Sequence, residues 1–216
     1  GGAGGTVPTG GTGGDGSGGT EPTGGTGGGE PGEPPFTLPV AVTPWQPSDA
    51  CKAKAAEILA GLSTSQKVAQ MIQGETLTTS PSDVSSRQLG SVFGGGSADP
   101  SNNSATAWAE MATQYQNAGL SFGIPILYGI DAVHGHNNVR DATMFPHNIG
   151  LGAAGDADLV QRIGRATAKQ VRATGISWAF APAVSVVEDQ RWGRAYEGYS
   201  SDPAMVAKLG GALVRG

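Results

Sequence analysis

Apolar residues recur every three to four positions in five stretches of the chain, the spacing that places them on one face of an α-helix. These stretches predict helices over residues 49–59, 62–73, 104–117, 156–174 and 204–214. The expected capping residues are Ser48, Ser63 with Gln66, and Asp156, and the expected stops are Gly61, Gly119 and Gly175. In the second helix Val68, Met71 and Ile72 form the apolar stripe, so we expect Met71 to pack in the core.

Three short apolar runs lie among these helices, and each ends in glycine or polar residues. They predict β-strands over residues 91–93, 124–130 and 176–187. The middle run is nearly continuous in apolar residues, which is typical of a strand covered on both faces. Alternation of strands with helices predicts an α/β fold with parallel βαβ units, either a (β/α)8 TIM-type barrel or a doubly wound sheet. Both folds place function at the carboxyl ends of strands, here the loops 94–99, 131–146 and 188–203.

The beginning of the chain differs in composition from the rest. Residues 1–33 hold 17 of the 37 glycines, with threonine and proline and without any aromatic residue. Such a sequence cannot bury enough apolar surface to offset its chain entropy, so we expect residues 1–35 to be a disordered Gly/Thr/Pro linker. Prolines predict an extended arm over residues 36–48, which leads into the globular part, residues 49–216. The alternative is that this segment is a remnant of an expression vector. The length and irregularity of the segment disfavour that explanation.

Charge, cysteine content and hydropathy exclude several classes of protein. The net charge is −5 and the basic residues are scattered, which argues against a nucleic-acid partner. Cys51 is the only cysteine, so the chain has neither an internal disulfide nor a cysteine-based zinc site. No apolar run is long enough to cross a bilayer.

Two patterns suggest ligand sites that their context does not support. The three glycines 94–96 are typical of a phosphate-binding loop, but no GxGxxG or Gly-Lys-Ser/Thr pattern accompanies them. His134 and His136 are spaced like a pair of metal ligands, with Asp131 and Asp141 nearby. The sequence lacks the complete spacing of a known metal site. The favoured interpretation is therefore structural: the imidazoles form hydrogen bonds that hold a long loop in place.

Asp131 and the segment 189–203 are the sharper candidates. Asp131 directly follows a strand, where a carboxylate either caps the loop or accepts hydrogen bonds from neighbouring hydroxyls of a sugar. The later segment, DQRWGRAYEGYSSDP, combines Arg191, Arg194 and Glu197 with further carboxylates and aromatic residues. One interpretation is a self-satisfied ionic network that holds the loop. The other is that one arginine is structural while the second offers its planar guanidinium to a ligand.

Three segments closely resemble the N-terminal domain of glycoside hydrolase family 3, in its β-glucosidase and exo-β-glucan glucohydrolase branch. They are GIDAVHGHNN (129–138), MFPHNIGLG (144–152) and DQRWGRAYEGYSSDP (189–203). The resemblance extends from about residue 49 to the end, and the predicted helix 62–73 resembles the family's first barrel helix. It implies a barrel-type domain followed by an α/β sandwich domain, so we expect the present chain to hold the first three or so βα units.

The resemblance also implies roles for individual residues. Asp131 and Arg194 are expected to bind hydroxyls of the sugar, with Glu197, Arg191 and His134 as supporting residues. The family cleaves glycosides with retention, through an aspartate nucleophile and a second carboxylate as acid/base, and requires neither metal nor cofactor. The family's nucleophile follows a Lys-His pair that this sequence lacks. We therefore expect the catalytic Asp and Glu beyond Gly216.

The resemblance implies hydrolysis of terminal, non-reducing β-D-glucosyl residues from β-glucans or cello-oligosaccharides, outside the cell or in the periplasm. The alternatives are a β-N-acetylhexosaminidase of the same family and a non-catalytic glycan-binding or surface-display module. Further domains are expected on both sides of the chain. Because three βα units cannot close an eight-stranded barrel, we expect residues 1–216 alone to fold poorly and to be inactive.

Overall fold

The computed structural model describes residues 46–96 and 98–216. The predicted linker (1–35) and most of the predicted arm (36–48) lie outside these residues. The helices described are α1 (Asp49–Gly61), α2 (Thr64–Ala69), α3 (Pro81–Arg87), α4 (Ala105–Leu120), α5 (Asn148–Ala154), α6 (Ala157–Ala173) and α7 (Pro203–Arg215). The strands are β1 (Gln73–Glu75), β2 (Ser91–Gly94), β3 (Leu127–Ile130) and β4 (Trp178–Ala179), and a 3-10 turn covers Ala195–Glu197.

The four strands form one parallel sheet in the order β1-β2-β3-β4. Gly74 pairs with Val92, Val92 with Tyr128, and Gly129 with Trp178. Each connection between neighbouring strands contains at least one helix. The strand order never reverses, whereas a doubly wound sheet has a switch point where it does. The topology is therefore that of successive units of a (β/α) barrel.

Two clusters of buried side chains hold these elements together. The first joins the sheet to α3, α4 and the end of α6, through Val84, Val92, Trp108, Tyr128, Ile130 and Ile176 among others. The second joins α5, α6 and α7 to the chain after the 3-10 turn, through Leu151, Val160, Ile163, Tyr199, Val206 and Leu209. The second cluster matters for function because it lies under the loop 188–203.

The predicted helix over residues 62–73 is wrong in its second half. The capping box of Ser63 and Gln66 is present, but the helix ends at Ala69, and Gln73 begins β1. Met71 is 85% exposed rather than packed in the core. The cause is that Gly74 must pair with Val92 in the sheet, so the chain leaves the helix one turn early. Sheet pairing overrides the helical apolar pattern here.

The strand predicted over residues 91–93 is confirmed as Ser91–Gly94. The other two predicted strands are in the right places but too long. The run 124–130 forms a strand only from Leu127, after Pro125, and its last three residues are buried as expected of a covered strand. The run 176–187 yields only Trp178–Ala179, because Pro182 has no N–H to donate to a ladder. The predicted stop at Gly119 is also wrong: the helix continues to Leu120, and the missing side chain of Gly119 lets the backbone of Ile124 pack closely.

Helix α6 confirms its prediction: Asp156 caps it and Val160, Ile163 and Val171 are buried along one face. Helices α3 and α5, and strand β1, are not indicated by the apolar pattern. No helix in the described ranges combines the length and apolar character needed to cross a membrane.

Candidate functional site

Asp131 directly follows Ile130, the last residue of β3, and so lies at the carboxyl edge of the sheet. Its side chain is half-buried. Asn138 Nδ2 donates a hydrogen bond of 3.0 Å to the Asp131 main-chain oxygen and fixes the start of the loop. A Cβ built on Gly95, whose φ is +148°, would lie 3.6 Å from Asp131 Oδ2. Glycine at this position keeps space open beside the carboxylate.

The charges around Asp131 come from the loop 188–203. Burial raises the pKa of Asp131, while the positive charge of Arg194 lowers it and the negative charge of Glu197 raises it. The charge of Asp131 in turn contributes to raising the pKa of Arg194, behind larger effects from Glu197. The structure thus brings Asp131 and the Arg194–Glu197 pair into electrostatic range. The direct ion pair of Arg194 is with Glu197 rather than with Asp131.

Arg194 and Glu197 form a two-pronged ion pair across the 3-10 turn. Arg194 Nε donates to Glu197 Oε1 at 2.8 Å and Nη2 donates to Oε2 at 2.6 Å. The Glu197 side chain is 16% exposed and that of Arg194 is 67% exposed. These hydrogen bonds lower the pKa of Glu197. The guanidinium is held on one edge, and its Nη1 hydrogens remain on the other edge, outside this pair.

Arg191 makes a similar pair, but with Asp189 at the start of the same loop. Its Nη2 donates to Asp189 Oδ2 at 2.6 Å, and its Nε lies 3.0 Å from Oδ1. The Arg191 side chain is 90% exposed. Arg191 and Arg194 are thus each paired with a carboxylate of the same loop, and Arg194 in addition experiences the charge of Asp131.

His134 enters the site through ring packing. Its ring centroid lies 4.3 Å from that of His147, which in turn lies 4.7 Å from that of Tyr196 in the 3-10 turn. The His134 main-chain oxygen accepts a 2.8 Å hydrogen bond from Phe145 N, which closes the loop 131–146. Burial, and then the neighbouring His147, lower the pKa of His134. His134 therefore links the loop after β3 to the turn that carries Glu197.

His136 has different surroundings and is buried. Its Nε2 lies 2.9 Å from Thr174 Oγ1, whose hydroxyl is 2.8 Å from Val171 O. Since the hydroxyl donates to that carbonyl, His136 Nε2 carries the proton and donates to Thr174. Burial lowers the pKa of His136 to about 4, so the ring is neutral. Within residues 46–96 and 98–216, no three His, Cys, Asp or Glu side chains converge as metal ligands would.

Asn148 contacts the predicted site residue Glu197, a contact that the sequence pattern did not reveal. It is the first residue of α5 and is buried, and its Nδ2 donates a 2.8 Å hydrogen bond to the main-chain oxygen of Glu197. The segment MFPHNIGLG was noted for its resemblance, yet an asparagine at a helix start is typical of local capping. Its partner 49 residues away becomes visible only in the fold.

A cavity of about 680 Å³ is lined largely by the loop 188–203, with Trp192, Tyr196 and Ile149 among its lining residues. The structure describes all five predicted site residues. One of them, Arg191, lines this cavity. The two predicted sugar-binding residues, Asp131 in the loop after β3 and Arg194 in the loop after β4, are not among the residues that line it.

Comparison with known proteins identifies the family. The model of the glycosyl hydrolase family 3 N terminal domain matches residues 63–216. The chain belongs to glycoside hydrolase family 3. The resemblance in the three sequence segments is thereby confirmed, as is an α/β fold built from TIM-type units. Membership places the chain among glycoside hydrolases.

Family 3 relatives include β-glucosidases and a glucanase. A lysosomal beta glucosidase of Dictyostelium discoideum is 32% identical over 179 residues, which are 74% of this chain and 22% of that protein. A periplasmic beta-glucosidase of Salmonella typhimurium is 32% identical over 59% of this chain and 15% of its own length. The crystal structure of an exo-1,3/1,4-beta-glucanase from a Pseudoalteromonas species is 45% identical, with a TM-score of 0.75, over 80% of this chain and 22% of that chain. The chain thus spans about a fifth of these proteins.

Proposed function

We propose that the enzyme carrying this chain releases terminal β-D-glucosyl residues from the non-reducing ends of β-glucans or cello-oligosaccharides. Within it, Asp131 and Arg194 form part of the subsite that holds the glucose ring. The observation that carries the proposal is the placement of Arg194: one edge of its guanidinium is fixed by Glu197 and its charge reaches Asp131. Relatives named β-glucosidase and exo-1,3/1,4-beta-glucanase support glucose as the sugar.

The chemistry of the two groups suits a neutral sugar. An ionised carboxylate accepts hydrogen bonds from two hydroxyls at once, and a guanidinium donates to hydroxyl oxygens in a fixed plane. Because Arg194 and Asp131 are in electrostatic range without pairing directly, each retains hydrogen-bonding capacity for a ligand. Glu197 holds Arg194 in position through two hydrogen bonds.

We further propose cleavage with retention of configuration, which requires two carboxylates about 5–5.5 Å apart on either side of the scissile bond. Asp131 is assigned to sugar binding rather than to this pair, because the family's nucleophile follows a Lys-His pair that is not found in residues 1–216. The acid/base carboxylate is likewise assigned to no residue of this chain.

The organisation of the chain is part of the same proposal. Residues 1–35 act as a Gly/Thr/Pro linker, residues 36–48 as an extended arm, and residues 49–216 as the N-terminal portion of the family 3 barrel domain. The glycine-rich composition of residues 1–33 supports a linker. The periplasmic relative from Salmonella typhimurium supports an extracytoplasmic location, outside the cell or in the periplasm.

Substitution of Asp131 and Arg194 tests the subsite. In the enzyme carrying this chain, Asp131→Asn and Arg194→Ala are each expected to lower kcat/KM for an aryl β-glucoside by about 100-fold or more, which corresponds to about 2.7 kcal/mol of transition-state stabilisation. Asp158→Asn is the matched control, since Asp158 is exposed on α6. Activity of Asp131→Asn or Arg194→Ala equal to that of the control would refute the assignment.

The sugar itself is tested by parallel assays of the unmodified enzyme on an aryl β-glucoside and an aryl N-acetyl-β-glucosaminide. The proposal expects a higher kcat/KM for the glucoside. The reverse preference would indicate the N-acetylhexosaminidase activity, and binding of cello-oligosaccharides without turnover would indicate a glycan-binding module.

A further inference from the structure

Helix α5 contacts the 3-10 turn that carries Glu197 by a buried polar bond. Asn148, the first residue of the helix, is 5% exposed. Its Nδ2 donates to the Glu197 main-chain oxygen at 2.8 Å. The carboxylate of the same residue, Glu197, accepts hydrogen bonds from Arg194 Nε at 2.8 Å and from Arg194 Nη2 at 2.6 Å. One amide therefore fixes the backbone of the residue that orients the guanidinium.

Two further contacts hold α5 against the same segment. The ring of His147, the N-cap residue of α5, packs edge-on against Tyr196 at a centroid distance of 4.7 Å. On the next turn of the helix, Gly152 packs directly against the Tyr199 carbonyl, where a side chain could not fit. Contacts on both sides of Glu197 leave the turn little freedom to slide along the helix. The Asn148 bond sets its register between them.

The structure assigns Asn148 as a positioning residue of the sugar subsite, acting through Glu197 on Arg194. This inference rests on the proposed function. Loss of the amide donor leaves the partly buried Glu197 carbonyl without this partner, which favours a shift of the turn towards another donor. A shift of about 1 Å in a group that orients the substrate can cost about 100-fold in rate.

The test replaces the donor without changing the size of the side chain. In the enzyme carrying this chain, Asn148→Asp puts a carboxylate oxygen against the Glu197 carbonyl. We expect kcat/KM for an aryl β-glucoside to fall about 10- to 100-fold and the inhibition constant of free glucose to rise about tenfold or more. Asn102→Asp is the matched control: it makes the same chemical change at an exposed residue whose side-chain oxygen, the acceptor from Ser104 N, is retained.

A double-mutant cycle separates positioning from general destabilisation. If Asn148 acts through Arg194, then Asn148→Asp adds less than about a threefold loss when Arg194 is already alanine. A smaller folded fraction would lower kcat, yet it would leave KM and the glucose inhibition constant unchanged. Should Asn148→Asp not fold, Asn148→Ala removes the donor without adding charge and enters the same cycle.

Each outcome decides between the two claims. A reduced kcat/KM of Arg194→Ala, together with a full, multiplicative loss from Asn148→Asp in that background, would overturn the positioning role and leave the sugar subsite intact. An Arg194→Ala enzyme as active as the unmodified one would overturn both. An Asn148→Asp enzyme with the glucose inhibition constant of the Asn102→Asp control would also refute the positioning role.

Discussion

Replacement of Glu197 by glutamine measures how far the site depends on the ion pair with Arg194. The substitution keeps the shape of the side chain and one oxygen acceptor, but removes the charge. Two bonds between charged groups, of 2.8 and 2.6 Å, become at best one bond from the charged guanidinium to a neutral amide oxygen. The guanidinium of Arg194 then has one hydrogen bond to residue 197 instead of two, so it can rotate about that bond.

The magnitude follows from the exposure of the two partners. Hydrogen bonds to charged groups contribute about 1.5–3 kcal/mol, so the loss of one of the two bonds and the weakening of the other set the size of the difference. Because Glu197 is largely buried while Arg194 is 67% exposed, solvent screens part of this difference. We expect a loss of about 1 kcal/mol in the free energy of unfolding from the Glu197 carboxylate. The loss of orientation is expected to lower kcat/KM on an aryl β-glucoside about 10- to 100-fold, or about 1.4–2.7 kcal/mol.

The stability difference between the unmodified enzyme and Glu197→Gln should depend on pH in a definite direction. Bonding to Arg194 lowers the pKa of Glu197 in the folded protein below its ordinary value of 4.5. Its stabilising effect is therefore fully present above pH 4.5 and is lost as the pH falls through the lower pKa of the folded state. The stability difference between the unmodified enzyme and Glu197→Gln should be greatest near neutral pH and should shrink below pH 4.5.

Thermal unfolding followed by circular dichroism between pH 3 and pH 7, together with the glucoside assay, checks both parts. Asp189→Asn is the matched control, since it removes a similar pair with the 90% exposed Arg191 in the same loop. Its thermal midpoint and kcat/KM should stay close to those of the unmodified enzyme. A Glu197→Gln enzyme indistinguishable from this control, or a stability difference that grows on acidification, would refute the reasoning.

Two glycines beside the site give further predictions. Gly95→Ala is expected to lower the free energy of unfolding by about 1–3 kcal/mol, because φ is +148°. It should also raise KM for the glucoside, because the new methyl group lies beside Asp131. An unchanged KM in the folded variant would contradict this. Gly152→Ala is expected to lower the free energy of unfolding by about 1–3 kcal/mol and to raise KM as well, because α5 must move away from Tyr199. Urea denaturation measures the first effect and the glucoside assay the second. A variant as stable as the unmodified enzyme would contradict the prediction.

Helix α6 was predictable because its signals lie within a few residues of one another along the chain. Asp156 caps α6 and Val160 and Ile163 repeat at helical spacing, so both the start and the buried face follow from local sequence. The strand β1 was not predictable in this way. Its three residues pair with β2 through contacts set by the sheet, and Met71 before it belongs to an apolar pattern that the sheet overrides.

The same distinction applies to the site. Asp131 was indicated by its position after a strand, and the Arg194–Glu197 pair by a spacing of three residues, which suits a single turn. The electrostatic effect of Asp131 on Arg194 and the bond from Asn148 depend on segments far apart in sequence. A single sequence contains no local signal for either.

Strand β4 has only two residues, so the sheet alone cannot fix the loop 188–203 that follows it. The loop is fixed instead by the helices beneath it. Tyr199 is buried in the cluster formed by α5, α6 and α7, and Asn148 of α5 holds Glu197. The position of Arg194 therefore depends on helix packing more than on strand pairing. Substitutions that loosen the buried cluster should therefore lower activity through the proposed sugar subsite, whereas equal losses of packing around β1 should affect stability alone.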